Sequence, residues 1–167
     1  MKNIVLIGMP ASGKSTVGVV LAKTLGVGFV DTDLVIQQRE GRLLQDIIDK
    51  DGLKAFLEIE ENALLSLDCE NSVISTGGSA VFGEKAMEKF KKNAVTVFID
   101  VSSSVLEKRL SNITTRGIAA KQGESVEDIL RERLPLYKKY ADFTISTENE
   151  NVESSVEKIV SLLKLNN

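Results

Sequence analysis

Apolar residues along this chain fall into two alternating rhythms. Short apolar runs at residues 3–7, 28–30, 72–75, 94–99 and 143–145 read as strands buried on both faces, because they lack regular polar alternation. Stretches with helical spacing lie between and after them, at 14–25, 34–39, 43–49, 54–67, 84–91, 104–110, 126–140 and 152–165. The last puts Val156, Ile159, Val160 and Leu163 on one stripe. Strands alternating with helices predict a parallel sheet covered on both sides. The expected architecture is a three-layer α/β/α fold around a central five-stranded parallel sheet, with residues 1–167 forming one domain. No repeat, low-complexity tract or long linker divides it.

One interval breaks the rhythm. Residues 112–123, from Asn112 through Arg116 and Gly117 to Gly123, are small, polar and weakly periodic, and lie between two helical patterns. A loop of this length in a compact domain is usually functional or disordered. Beside a nucleotide site it reads as a mobile lid carrying Arg116.

Composition narrows the chemistry. The 167 residues are 43% apolar and 27% charged, with a net charge of −3, which gives no electrostatic footprint for a nucleic-acid partner. No apolar run approaches the roughly 18 residues of a membrane span. The short apolar stretch near the start is interrupted by Gly8 and Pro10, unlike a signal peptide. A cytoplasmic protein without nucleic-acid or membrane partners is expected. Histidine is absent, which excludes Ser-His-Asp triads and imidazole metal sites. The single cysteine, Cys69, lies near the end of a helical pattern and reads as an inert, partly buried thiol. A general base working near neutral pH is therefore expected to be a carboxylate.

The strongest local signal follows the first strand. Gly8-Met9-Pro10-Ala11-Ser12-Gly13-Lys14-Ser15 spells G-x-x-x-x-G-K-[ST] between a strand and a helix, the context in which this motif binds phosphate. Its glycines let consecutive N–H groups turn inward, and the helix start adds partial positive charge. Gly8, Ala11, Ser12, Gly13, Lys14, Ser15 and Thr16 are thus candidate ATP-binding residues, with Lys14 reaching the β- and γ-phosphates and Ser15 ligating Mg²⁺.

Further signals follow in order: Asp31-Thr32-Asp33 at the end of the second strand, Phe56-Leu57-Glu58-Ile59-Glu60-Glu61 on a helix, and Thr76-Gly77-Gly78-Ser79 at the end of the third strand. A late helix carries Arg131-Glu132-Arg133-Leu134-Pro135-Leu136-Tyr137, and Ala141-Asp142 follow. Strand ends on one edge of a parallel sheet collect ligands, so Asp31, Asp33, Gly77 and Gly78 fall where a crevice is expected. Two aspartates two apart on an extended segment point to opposite sides and can serve different partners; as an alternative, one of them caps the next helix. Together these motifs resemble the shikimate kinases, small P-loop enzymes of the nucleoside-monophosphate-kinase-like fold, from about Lys2 to Ala141. The resemblance implies transfer of the γ-phosphate of ATP to shikimate or a similar hydroxylated acid, giving shikimate 3-phosphate in aromatic amino-acid biosynthesis. It implies that Asp31 faces Mg²⁺, that Asp33 binds the attacking hydroxyl, and that Gly77, Gly78 and Arg133 hold the acceptor. It also implies that Arg116 approaches the transferred phosphate and that Arg109 stacks on adenine, although an exposed helix charge is as natural a reading of Arg109.

Three positions depart from the family's pattern. Leu57 stands where the family has an arginine that clamps the acceptor, Ser79 replaces the third glycine of the strand end, and Arg116-Gly117-Ile118-Ala119 replaces the lid's usual Arg-Pro-Leu-Leu. Two consequences stay open at this point. Lys54, three residues before Leu57, brings a cation to the same helix face, or Leu57 lines a pocket for a less polar acceptor.

Overall fold

The computed structural model describes residues 1–111, 118–148 and 150–164. Five strands, β1 (Asn3–Ile7), β2 (Gly28–Asp31), β3 (Ser72–Ser75), β4 (Ala94–Asp100) and β5 (Phe143–Ser146), form one parallel sheet in the order β2-β3-β1-β4-β5. The register places Val5 of β1 between Ile74 of β3 and Thr96 of β4. These central strands are buried because helices flank the sheet. α1 (Lys14–Leu25) lies on β1, β2 and β3 and packs against α7 (Val152–Lys164). α4 (Glu84–Asn93) and α6 (Val126–Tyr140) lie on β4, and α3 (Leu44–Leu65) packs on α4 and on α2 (Thr32–Glu40). α5 (Ser103–Ser111) contacts α6. No described helix is long and apolar enough to cross a membrane.

The apolar interior has two parts. The larger one runs through the sheet, from Val5, Leu6 and Ile7 to Phe98 and Ile99, and includes Leu21 of α1 and Ile159 of α7. The smaller one joins α2 and α3 through Ile36, Leu44, Ile47, Phe56 and Ala63, and takes in Ala119. Ile118 and Ala119, in the second half of the expected lid, are thus packed, whereas Arg116 and the other residues of 112–117 lie outside the described residues.

The sequence reading and the structure differ at two junctions. α2 begins at Thr32, two residues before the expected 34, because Asp31 is its N-cap and accepts the backbone N–H of Asp33 at 3.0 Å. The expected helices at 43–49 and 54–67 are the two limbs of α3, parted at Gly52 by a non-helical φ of 86° and ψ of 166°. Cys69 lies beyond the end of α3, half-buried, and burial pushes its thiol above the ordinary range.

Candidate active site

A cleft of about 520 Å³ opens along the carboxyl edge of the sheet. The chain passes from β3 on one side of β1 to β4 on the other, so strand order reverses around the loop that follows β1, where open parallel sheets gather ligands. That loop curls tightly. Gly8 has a φ of 146°, and a Cβ there would lie 2.6 Å from the carbonyl oxygen of Ile99, so only glycine fits. Gly13, also left-handed, is the N-cap of α1 and forms no side-chain cap, which leaves the first N–H groups of that helix for an anion. Ala11, Ser12, Gly13, Lys14, Ser15 and Thr16 all line the cleft, while Gly8 shapes the loop behind it. Lys14 is buried, and its Nζ donates to the carbonyl oxygens of Gly8 at 2.9 Å and Met9 at 2.7 Å.

Beside the loop, the Ser15 hydroxyl donates to Asp31 Oδ2 at 2.8 Å and lies 3.2 Å from Ser75 Oγ. Asp31 therefore holds Ser15 with one oxygen and caps α2 with the other. A hydroxyl and a carboxylate are the hard oxygen donors that suit Mg²⁺. Among the described residues no group of three or more acidic, cysteine or histidine side chains is placed to hold a metal ion. Asp33 does not lie on an extended segment, so the alternation argument for the two aspartates does not apply. The strand-to-helix turn at Asp31 puts Asp33 in the first turn of α2, on the cleft wall.

Further lining comes from α3, α6 and the chain after β3. Arg133 is 2% exposed; its Nη2 donates to the Ala119 carbonyl, and its guanidinium lies 5.5 Å from the Phe82 ring centre. Its Nε and Nη1 have no hydrogen-bond partner among the described residues. A Cβ on Gly78 would come within 3.0 Å of Arg133 Nη1 and 2.5 Å of Pro10 Cδ, and one on Gly77 within 3.0 Å of Asp33 Oδ1. Gly77 and Gly78 thus bring bare backbone between the cation and the carboxylate. The Tyr137 hydroxyl donates to the Gly78 carbonyl at 2.6 Å, and its ring stacks on Phe98, which braces this turn. Burial pushes the Tyr137 phenol well above its ordinary range, so it remains a donor. Arg109 Nη1 donates to the Ala11 carbonyl at 3.0 Å, and Thr147, whose buried Oγ1 has no hydrogen-bond partner among the described residues, also lines the cleft.

The cleft also contains a residue to which sequence reasoning gave no role. Glu60 on α3 is 2% exposed and accepts the Ser79 hydroxyl at 2.6 Å. Burial pushes its carboxyl up to about 7, with Asp33 adding to the rise and Ser79, Arg133 and Lys14 opposing it. The available signal was its spacing: a glutamate four residues after Phe56 and four before Leu64 continues a buried stripe. Neither open expectation for position 57 is met by the cleft's lining. Leu57 packs half-buried on the smaller apolar cluster, Lys54 is exposed, and neither lines the cleft.

Comparison with known proteins gives one consistent result. The family model for shikimate kinase matches residues 10–164. The shikimate kinase of Thermodesulfovibrio yellowstonii is 39% identical over 163 residues, covering 96% of this chain and 94% of that protein. That of Mycobacterium avium is 40% identical over 162 residues, covering 95% of this chain and 92% of that protein. A structure of shikimate kinase from Acinetobacter baumannii in complex with shikimate superposes with a TM-score of 0.93 at 29% identity, covering 99% of this chain and 94% of that one. The chain belongs to the shikimate kinase family.

Proposed function

We propose that this protein transfers the γ-phosphoryl group of ATP to a hydroxyl of shikimate, giving shikimate 3-phosphate and ADP. Arg133 carries the reading: a buried guanidinium with Nε and Nη1 unpartnered faces the same cleft as the phosphate loop. A planar two-pronged donor suits a carboxylate, and shikimate is a hydroxylated carboxylic acid. The N–H groups at the start of α1 and the Lys14 ammonium hold the β- and γ-phosphates. Ser15 and Asp31 would hold Mg²⁺, which when bound neutralises part of the phosphate charge. Asp33, on the wall facing the Gly77 backbone, accepts the proton of the attacking hydroxyl, and Arg109 covers the nucleotide end. Arg116, outside the described residues, is assigned to the transferred phosphate by family likeness alone. Catalysis in this arrangement is positioning plus charge neutralisation.

A coupled assay of ADP release with shikimate tests the reading. Lys14→Ala should lower kcat by about three decades, the scale expected for a lost transition-state charge contact. Asp33→Asn should abolish transfer while leaving Mg-ATP affinity intact. Turnover on another polyhydroxy acid but not on shikimate would reassign the acceptor. Near wild-type turnover in Lys14→Ala would remove the loop from the mechanism.

A further inference from the structure

Glu60, a buried carboxyl in the lining of the cleft, holds no task in the transfer itself, and its one hydrogen-bond partner among the described residues is Ser79. Glu60 Oε2 is taken by the Ser79 hydroxyl at 2.6 Å, whereas Oε1 has no hydrogen-bond partner among the described residues. That oxygen lies against Gly77 in the lining of the cleft: a Cβ there would meet it at 2.5 Å and Asp33 Oδ1 at 3.0 Å. Two carboxyl groups thus approach the space that one methyl carbon would fill, where both do not ionise readily. The charged groups that face Glu60 are Asp33 from α2, Arg133 from α6 and Lys14 from the phosphate loop. A buried carboxylate held by one neutral hydroxyl and set beside another carboxylate is costly, and a proton removes that cost.

We propose that Glu60 and Ser79 form a neutral hydroxyl-binding pair, so that the acceptor is taken up with a proton on Glu60. The Ser79 hydroxyl fixes Oε2, and Oε1 is left for a hydroxyl of the acceptor next to the one that Asp33 receives. Ionisation of Glu60 sets a second negative charge beside Asp33 and removes the donor, so acceptor uptake weakens. This rests on the reading of the cleft as a shikimate site.

The test is kcat/KM for shikimate at saturating Mg-ATP from pH 5.5 to 9, for the wild type, Glu60→Gln and Ser79→Ala. In the wild type kcat/KM should fall about tenfold per pH unit above about pH 7, through KM rather than kcat. Glu60→Gln, uncharged at every pH, should lose that alkaline limb and leave the KM for ATP unchanged. Ser79→Ala removes a bond that favours the ionised form, so its limb should move to higher pH. A limb that survives Glu60→Gln, or one that stays in place in Ser79→Ala, overturns the proposal. Should Glu60→Gln fail to fold, the position of the Ser79→Ala limb decides. Shikimate turnover with a pH-independent kcat/KM overturns this inference alone. Absence of shikimate-dependent ADP release at every pH overturns the functional reading and this inference with it.

Discussion

At Gly77 the absence of a side chain serves the cleft rather than the fold. An added Cβ would meet the ends of two side chains, Glu60 at 2.5 Å and Asp33 at 3.0 Å, and no backbone atom among its nearest neighbours. Gly77→Ala should therefore fold, with a Tm lowered by only a few degrees, the scale of about 1 kcal/mol in a chain of this size. It should also lower kcat/KM for the acceptor at least tenfold, because both carboxyl groups must shift from the space they line. Equal kcat/KM in the two proteins would show that the acceptor does not approach this backbone. The position of Gly77 was legible in the sequence because a strand followed by Gly-Gly is a local pattern. Glu60 and Tyr137 were not legible as site residues, since their settings depend on partners distant in sequence: Ser79 is 19 residues from Glu60, and Gly78 is 59 from Tyr137. Lys14 and Ser15 lie at the other extreme, with motif, strand and helix all contiguous.

Among the elements, α3 carries a feature that only glycine supplies. Gly52 adopts φ 86° and ψ 166°, with nothing within 4 Å of an added Cβ, so the constraint there is backbone conformation and not crowding. The break lets one limb bring Leu44 and the other bring Phe56 and Glu60 to the same cleft. Gly52→Ala should cost about 1–3 kcal/mol through backbone strain, which for a chain of this length lowers Tm by roughly 3–10 °C. Thermal unfolding followed by circular dichroism measures it. A raised Tm would mean that the two limbs merge into one helix without loss. The sequence anticipated two helices here because the apolar spacing lapses around Gly52. It missed the early start of α2, where the capping oxygen of Asp31 outweighs the weak periodicity of Thr32 and Asp33. It also missed the short 3-10 turn Ala80–Phe82, which is too brief to show a period.

For the molecule as a whole, the absence of histidine removes the side chain that ordinarily changes charge between pH 5 and 8. Glu60, raised from 4.5 to about 7, falls in that window. Asp51 beside Arg42, and Asp128 and Glu148 hydrogen-bonded to Ser125 and Ser102, are instead held below the usual carboxylate range. Their contributions are present above that range and are lost only as pH falls through their lowered values, on the acid side of the window. For Glu60 the sign is opposite. Between about 4.5 and 7 the folded protein retains a proton that the unfolded chain has released, so stability falls as pH rises across that interval and levels off above it. The loss is on the order of 3 kcal/mol, a substantial part of the net stability of a domain. Glu60→Gln keeps the size of the side chain and an oxygen for Ser79 but cannot ionise. It should therefore unfold at nearly the same urea concentration at pH 5 and pH 8, whereas the wild-type midpoint should drop between them. At pH 8 the variant should be the more stable protein. A wild-type midpoint that does not change from pH 5 to 8, or a drop that persists in Glu60→Gln, would mean that burial does not hold this proton. Because the measurement needs neither nucleotide nor acceptor, it tests the electrostatics of Glu60 separately from any role in catalysis.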